Sequence, residues 1–149
     1  MKKLNNKGFS LVELIIVIAI MVILVAVLAP QFTKWVERSR VSTDIQTASE
    51  IATAVEVAYA EGKTITSGVV NASFIANVDS IQAVPTTKAA FSGAPAKGSN
   101  FSVAVDTSGG KFNVSVYGGS STTDATLQLY PTIGTKYAPY TNESTTDGD

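Results

Sequence analysis

Cysteine and histidine are both absent from the 149 residues, and charged side chains make up only 15% of them. Without either residue there is no disulfide framework, no Cys/His zinc site, no thiol nucleophile and no Ser/His triad. A hydrolase would have to rest on carboxylate pairs, and none stands out. A surplus of one charge sign is missing too. Eleven basic and 12 acidic residues give a net charge of -1, which leaves nothing to coat a phosphate backbone and argues against a dedicated nucleic-acid site. What the chain does have is apolar residues, 45% of the total. The length suits one small domain with a modest core.

The apolar residues are unevenly spread. Leu11 to Ala29 reads LVELIIVIAIMVILVAVLA, with Glu13 its one charged residue. A helix from Phe9 to Ala29 covers roughly 30 Å, the thickness of a hydrocarbon core. Lys2, Lys3 and Lys7 precede it, so the positive-inside rule keeps the N-terminus cytoplasmic and exports the chain beyond Pro30. Lys34, Arg38 and Arg40 oppose this weakly, interspersed as they are with Glu37 and Asp44. A secretory signal peptide cleaved after Val27-Leu28-Ala29 is the ordinary alternative. The length of the run, Pro30 just past the cut and Glu13 inside the apolar stretch all count against it.

Glu13 needs its own account. An acidic group at mid-bilayer costs at least about 2.5 kcal/mol on insertion scales, less near an end, and such residues usually have a partner. The span holds no basic residue. Cleavage just before Phe9 would create an α-ammonium group four residues from Glu13, at the same end of the helix. The alternative is a carboxyl that stays protonated or reaches the interface.

Lys7-Gly8-Phe9-Ser10-Leu11-Val12-Glu13-Leu14, the apolar run and Pro30-Gln31-Phe32 closely resemble the prepilin leader and N-terminal helix of type IV pilins, a motif shared by pseudopilins. The resemblance covers Met1 to about Arg40. It implies that Gly8 is the last leader residue, cut by a membrane aspartyl prepilin peptidase, and that Phe9 becomes the N-methylated first residue. Glu13 matches the family glutamate that attracts the free amine of a neighbouring subunit during assembly, a pairing that gives register as well as affinity where the dielectric is low. Loss of Lys2, Lys3 and Lys7 with the leader makes the mature chain acidic. Pro30 matches the helix-breaking proline and is expected to kink or loosen the helix around Ala26 to Pro30. The family commonly carries glycine eight residues earlier; this chain has Val22. The resemblance further implies a homopolymer, an assembly ATPase and a platform protein as partners, the membrane as the precursor's location, and no cofactor. The family's usual C-terminal disulfide loop is missing for want of cysteine.

Beyond the proline a helical period continues through Phe32, Val36, Val41, Ile45, Ala48, Ala52, Val55 and Tyr59, with Lys34, Glu37, Arg38, Asp44, Glu50 and Glu56 on other faces. Gly62 supplies a stop. The expected organisation is a leader at 1–8, a membrane and assembly helix at 9–29, and an amphipathic second half of the stem at 30–61. A surface connection follows at 62–100, then an antiparallel sheet region at 101–141 and a polar tail at 142–149. Within the connection, Ala72 to Asn77 reads as a short helix and Val78 to Val84 as a strand. Phe101, Val103 and Val105 alternate with polar residues, as do Phe112, Val114 and Val116 across Asp106 to Gly110, which predicts a β-hairpin. Thr126 to Tyr130 forms a third strand. The fold class is therefore α+β and pilin-like: a long N-terminal helix, membrane-spanning in its first half, packed on a small antiparallel sheet.

Other residues carry less. Asp106 and Asp124 lie in turns, where hydrogen bonding to the local backbone is the usual reason for Asp, and a calcium site needs several oxygen ligands. Asn71-Ala-Ser73 and Asn113-Val-Ser115 match glycosylation acceptors by composition alone. Three functions stay open: a structural subunit of a type IV pilus serving adhesion, motility, aggregation or DNA uptake; a pseudopilin of a secretion or competence system; and a monomeric membrane-anchored binding module.

Overall fold

A computed structural model describes residues 9–108 and 112–141. The chain divides into two compact units, one running to Val36 and the other from Glu37 onward. Helix α1, Leu11–Ala60, contributes to both.

In the first unit α1 is exposed on every side. Ser10 starts it: the Ser10 hydroxyl accepts the Val12 N–H at 3.3 Å and the Ser10 carbonyl accepts Leu14 N–H at 3.2 Å. Leu, Ile, Val and Ala fill the run that follows; its many β-branched residues are middling helix formers in water, and a helix is the form that satisfies every backbone group of an apolar span internally. Pro30 lies inside the helix, which continues through it. The Thr33 hydroxyl donates to the Pro30 carbonyl at 3.0 Å.

In the second unit α1 buries one stripe: Val41, Asp44, Ala48, Ile51, Ala52, Ala54, Val55 and Ala58. The spacing of three and four places these on one face. The helix ends where Gly62 takes a positive φ of 83°, with Gly62 N–H donating to Tyr59 O at 2.9 Å and Lys63 N–H to Ala58 O at 3.0 Å. This pair of bonds is the Schellman arrangement, and glycine adopts the required conformation without cost. Lys63 then pairs with Asp79 at 2.7 Å and Glu61 at 3.3 Å.

Four strands follow: β1 Gly68–Val69, β2 Phe101–Asp106, β3 Asn113–Gly118 and β4 Gln128–Tyr130. They form one antiparallel sheet in the order β1-β2-β3-β4. The predicted hairpin pairs Phe101 with Gly118 and Asp106 with Asn113; part of its turn, 109–111, lies outside the described residues, as do the leader and the tail. Phe101, Val103, Val114, Val116 and Leu129 join the α1 stripe, Val70, Val78, Ala89 and Tyr137 in one apolar cluster. The chain thus has a long N-terminal helix packed on a four-stranded antiparallel sheet.

Three expectations need correction. Val78 to Val84 is not a strand: Val78 N–H donates to Ile75 O and Ile81 N–H to Val78 O, so one turn ends at Val78, a second spans Val78 to Ile81, and Val78 serves as a core plug. The segment 62–100 is more than a surface connection, because it supplies strand β1 and the fully buried Val70, Val78, Thr87 and Ala89. The third strand is shorter than expected, since Ala125–Leu127 forms a 3-10 turn before it, capped by the Asp124 carboxylate on Thr126 N–H at 3.0 Å. The short helix α2, Ala72–Ile75, does form, with Asn71 accepting Phe74 N–H at 3.0 Å.

Candidate functional site: the start of helix α1

Phe9, Ser10 and Glu13 occupy the first exposed turn. Phe9 is 87% exposed. The Glu13 carboxylate reaches back and accepts the Ser10 N–H at 2.9 Å. With Ser10 as the cap and Glu13 three residues on, each side chain satisfies a backbone donor that helix geometry leaves orphaned. The Ser-x-x-Glu spacing is a capping box, present in the sequence but masked there by the prominence of Glu13 as a membrane charge. Its negative charge also suits the positive end of the helix dipole.

From Leu11 to Leu28 every large apolar side chain of α1 is exposed among the described residues. The helix is long and apolar enough to cross a membrane, by length and composition. A contiguous apolar surface of this extent on a folded chain calls for lipid or a partner. Gly8, the expected last leader residue, lies outside the described residues.

The weaker candidates are locally occupied. Asp106 accepts the Ser108 N–H at 2.8 Å and bonds its hydroxyl, and these bonds hold its carboxyl below the ordinary value. Asp124 bonds both the N–H and the hydroxyl of Thr126, the latter at 2.6 Å, with the same effect on its carboxyl. Asn71 is engaged as a helix cap. A groove of about 670 Å³ between α1 and residues 80–85 is lined mainly by Ser, Thr, Gln and apolar residues, with Glu50 its one charged group among the described residues.

The sequence pattern puts Asp44 on a solvent face, yet it is fully buried. Its carboxylate accepts Lys88 N–H at 2.7 Å and Ala89 N–H at 2.9 Å. Burial raises its carboxyl above the ordinary value, outweighing these two bonds and the Lys88 charge. Glu37, two turns earlier, accepts Ala90 N–H at 2.5 Å and pairs with Arg40 at 3.1 Å. No local signal marks such residues, because their donors lie more than 40 positions away.

Comparison with known proteins agrees with the geometry at this end of the chain. Residues 3–29 match the family model of the prokaryotic N-terminal methylation motif. This motif is the class III leader of type IV pilins and pseudopilins, and with the long apolar helix that follows it fits a membrane-anchored precursor. No curated protein and no solved structure matches it.

Proposed function

We propose that the chain is a structural subunit of an extracellular type IV pilus, cut between Gly8 and Phe9 by prepilin peptidase, N-methylated at Phe9, and polymerised through the apolar half of α1. The observation that carries this reading is the conjunction of the methylation motif with a helix whose apolar run is wholly uncovered and holds one carboxylate, Glu13, at its first turn. In the free subunit the Ser10 N–H satisfies that carboxylate. On joining the filament, Glu13 exchanges this backbone donor for the ammonium of a neighbouring Phe9, which adds the attraction of opposite charges in a medium of low dielectric. The membrane holds the subunit until it is extracted by an assembly ATPase and platform protein. Pro30 loosens α1 as the helices pack, since it supplies no backbone donor. The exported part serves contact with surfaces or other cells and performs no catalysis.

The test is the N-terminal mass of the protein in material sheared from the cell surface, with electron microscopy of the same fraction. A methylated Phe9 start in long filaments is the expected result. Processed protein confined to the membrane fraction would point instead to a pseudopilin, and an intact Met1 to a plain membrane-anchored module.

A further inference from the structure

The segment Thr86–Asn100 closes on itself. Thr86 bridges Asn100, Thr87 N–H donates to Ser99 O at 2.9 Å, Gly98 N–H to Thr87 O at 2.9 Å, and the Thr87 hydroxyl to Ala96 O at 3.2 Å. The body of this strap has few apolar anchors: between Lys88 and Gly98 Ala89 alone is fully buried. Polar groups hold it to α1 instead. Three consecutive backbone N–H groups, of Lys88, Ala89 and Ala90, donate to two carboxylates seven residues apart on α1, Asp44 and Glu37. Beyond them Phe91 stacks on Tyr140 with ring centres 4.3 Å apart and meets the Tyr137 ring edge-on at 5.2 Å. The strap therefore grips the terminal 3-10 turn Ala138–Tyr140 as well as the helix.

We propose that Glu37 and Asp44 form a releasable clasp, and that the strap and the terminal turn open together as one piece while the sheet stays closed. Opening breaks no rung between β2, β3 and β4. It returns a buried carboxylate to water, so part of what it costs in lost N–H bonds is repaid by hydration. A segment with many polar ties and little buried apolar area belongs to the low-stability end of a fold. The aromatic contacts of Phe91 make the turn follow the strap. The clasp gives the exported unit a face that can rearrange around Asp44 without unfolding, and it does so whether or not the chain polymerises.

Amide hydrogen exchange by mass spectrometry on the full chain in detergent micelles tests this, comparing the native sequence with Glu37→Gln and Asp44→Asn. Peptides covering 86–100 and 138–141 are expected to exchange about tenfold faster in Asp44→Asn and less so in Glu37→Gln, with β2, β3 and the buried Tyr137 at the native rate. Unchanged exchange of 86–100 in both variants overturns the clasp. Acceleration spread equally over β2 and β3 overturns the independent opening, and a fast strap with a native-rate terminal turn overturns their coupling. Should Asp44→Asn fail to fold, Glu37→Gln, which leaves Asp44 intact and alters the bond to the exposed Ala90 and the pair with Arg40, decides alone.

Discussion

The hydroxyl of Tyr137 lies directly over Gly118, in the space that a Cβ at position 118 would need. Tyr137 is fully buried, and its hydroxyl has no hydrogen-bond partner among the described residues. Burial and the nearby Asp44 charge push its phenol well above the ordinary value. Removing an unsatisfied buried hydroxyl relieves its desolvation, so Tyr137→Phe is expected to stabilise the chain by about 1 kcal/mol. Gly118→Ala should destabilise the native sequence. It should cost less when combined with Tyr137→Phe, though not nothing, because Pro95 also stands 3.2 Å from the new methyl group. A double-mutant cycle from chemical denaturation in micelles reads both effects; strict additivity would show that the two positions do not meet.

Gly134 is fixed by backbone. A Cβ there would stand 2.5 Å from the carbonyl oxygens of both Ala125 and Thr126, while Gly134 N–H donates to Gln128 O at 2.8 Å. Neither carbonyl can swing aside as a side chain could. Gly134→Ala is expected to cost about 2 kcal/mol, within the usual range for overpacking. A midpoint of thermal unfolding equal to the native one would refute it.

The cap that Glu13 forms and the pairing proposed for it can be separated by substitution. Glutamine still accepts a backbone N–H in a capping box, whereas alanine does not, and neither carries charge. In micelles, the Ser10 amide, bonded to Glu13, is expected to exchange as slowly in Glu13→Gln as in the native sequence and faster in Glu13→Ala. On the proposed reading filament yield falls in both, since both lack the anion proposed to pair with a neighbouring amine. Full yield with Glu13→Gln would remove charge pairing from the assembly scheme and leave the cap untouched.

The carboxylates of the second unit pull in opposite directions as pH changes. Asp44 titrates above its ordinary 3.8 because of burial, aided by Glu37 and opposed by Lys88 and the two N–H donors. The folded state therefore holds this proton more tightly. Its stabilising contribution is full below the unfolded value and is lost as pH rises through the folded one. Asp106 and Asp124 are held below 3.8 by their Ser108 and Thr126 bonds, so their contribution is present above that value and lost as pH falls. Asp44→Asn removes the first effect alone. Unfolding free energies measured from pH 3.5 to 6 should rise more steeply with pH in this variant than in the native chain.

Much of this architecture could be read from local pattern. The apolar run, the 3.6-residue stripe from Val41 to Val55, the stop at Gly62 and the alternation around Phe101 and Val114 each encode their structure within a few residues. Ser10 and Glu13 also form a local signal, although its meaning as a cap is plain only from their bond. Asp44 and Glu37 are not legible as clasp residues, because a carboxylate that bonds backbone donors 45 and 53 positions away has the same neighbours in sequence as one facing water. The strand expected at Val78 fails for a related reason: a buried valine says that a site is apolar, and the turns around Asp79 decide its shape.

The two outer strands of the sheet are short, two residues in β1 and three in β4. A long open edge would offer a ladder of unpaired donors and acceptors to the same edge on another molecule. A chain that concentrates its copies in a membrane would then risk joining them through their sheets, in a register nothing controls. With so little edge to offer, the sheet gives copies of the chain little to join through, and on the proposed reading association falls to the apolar helix.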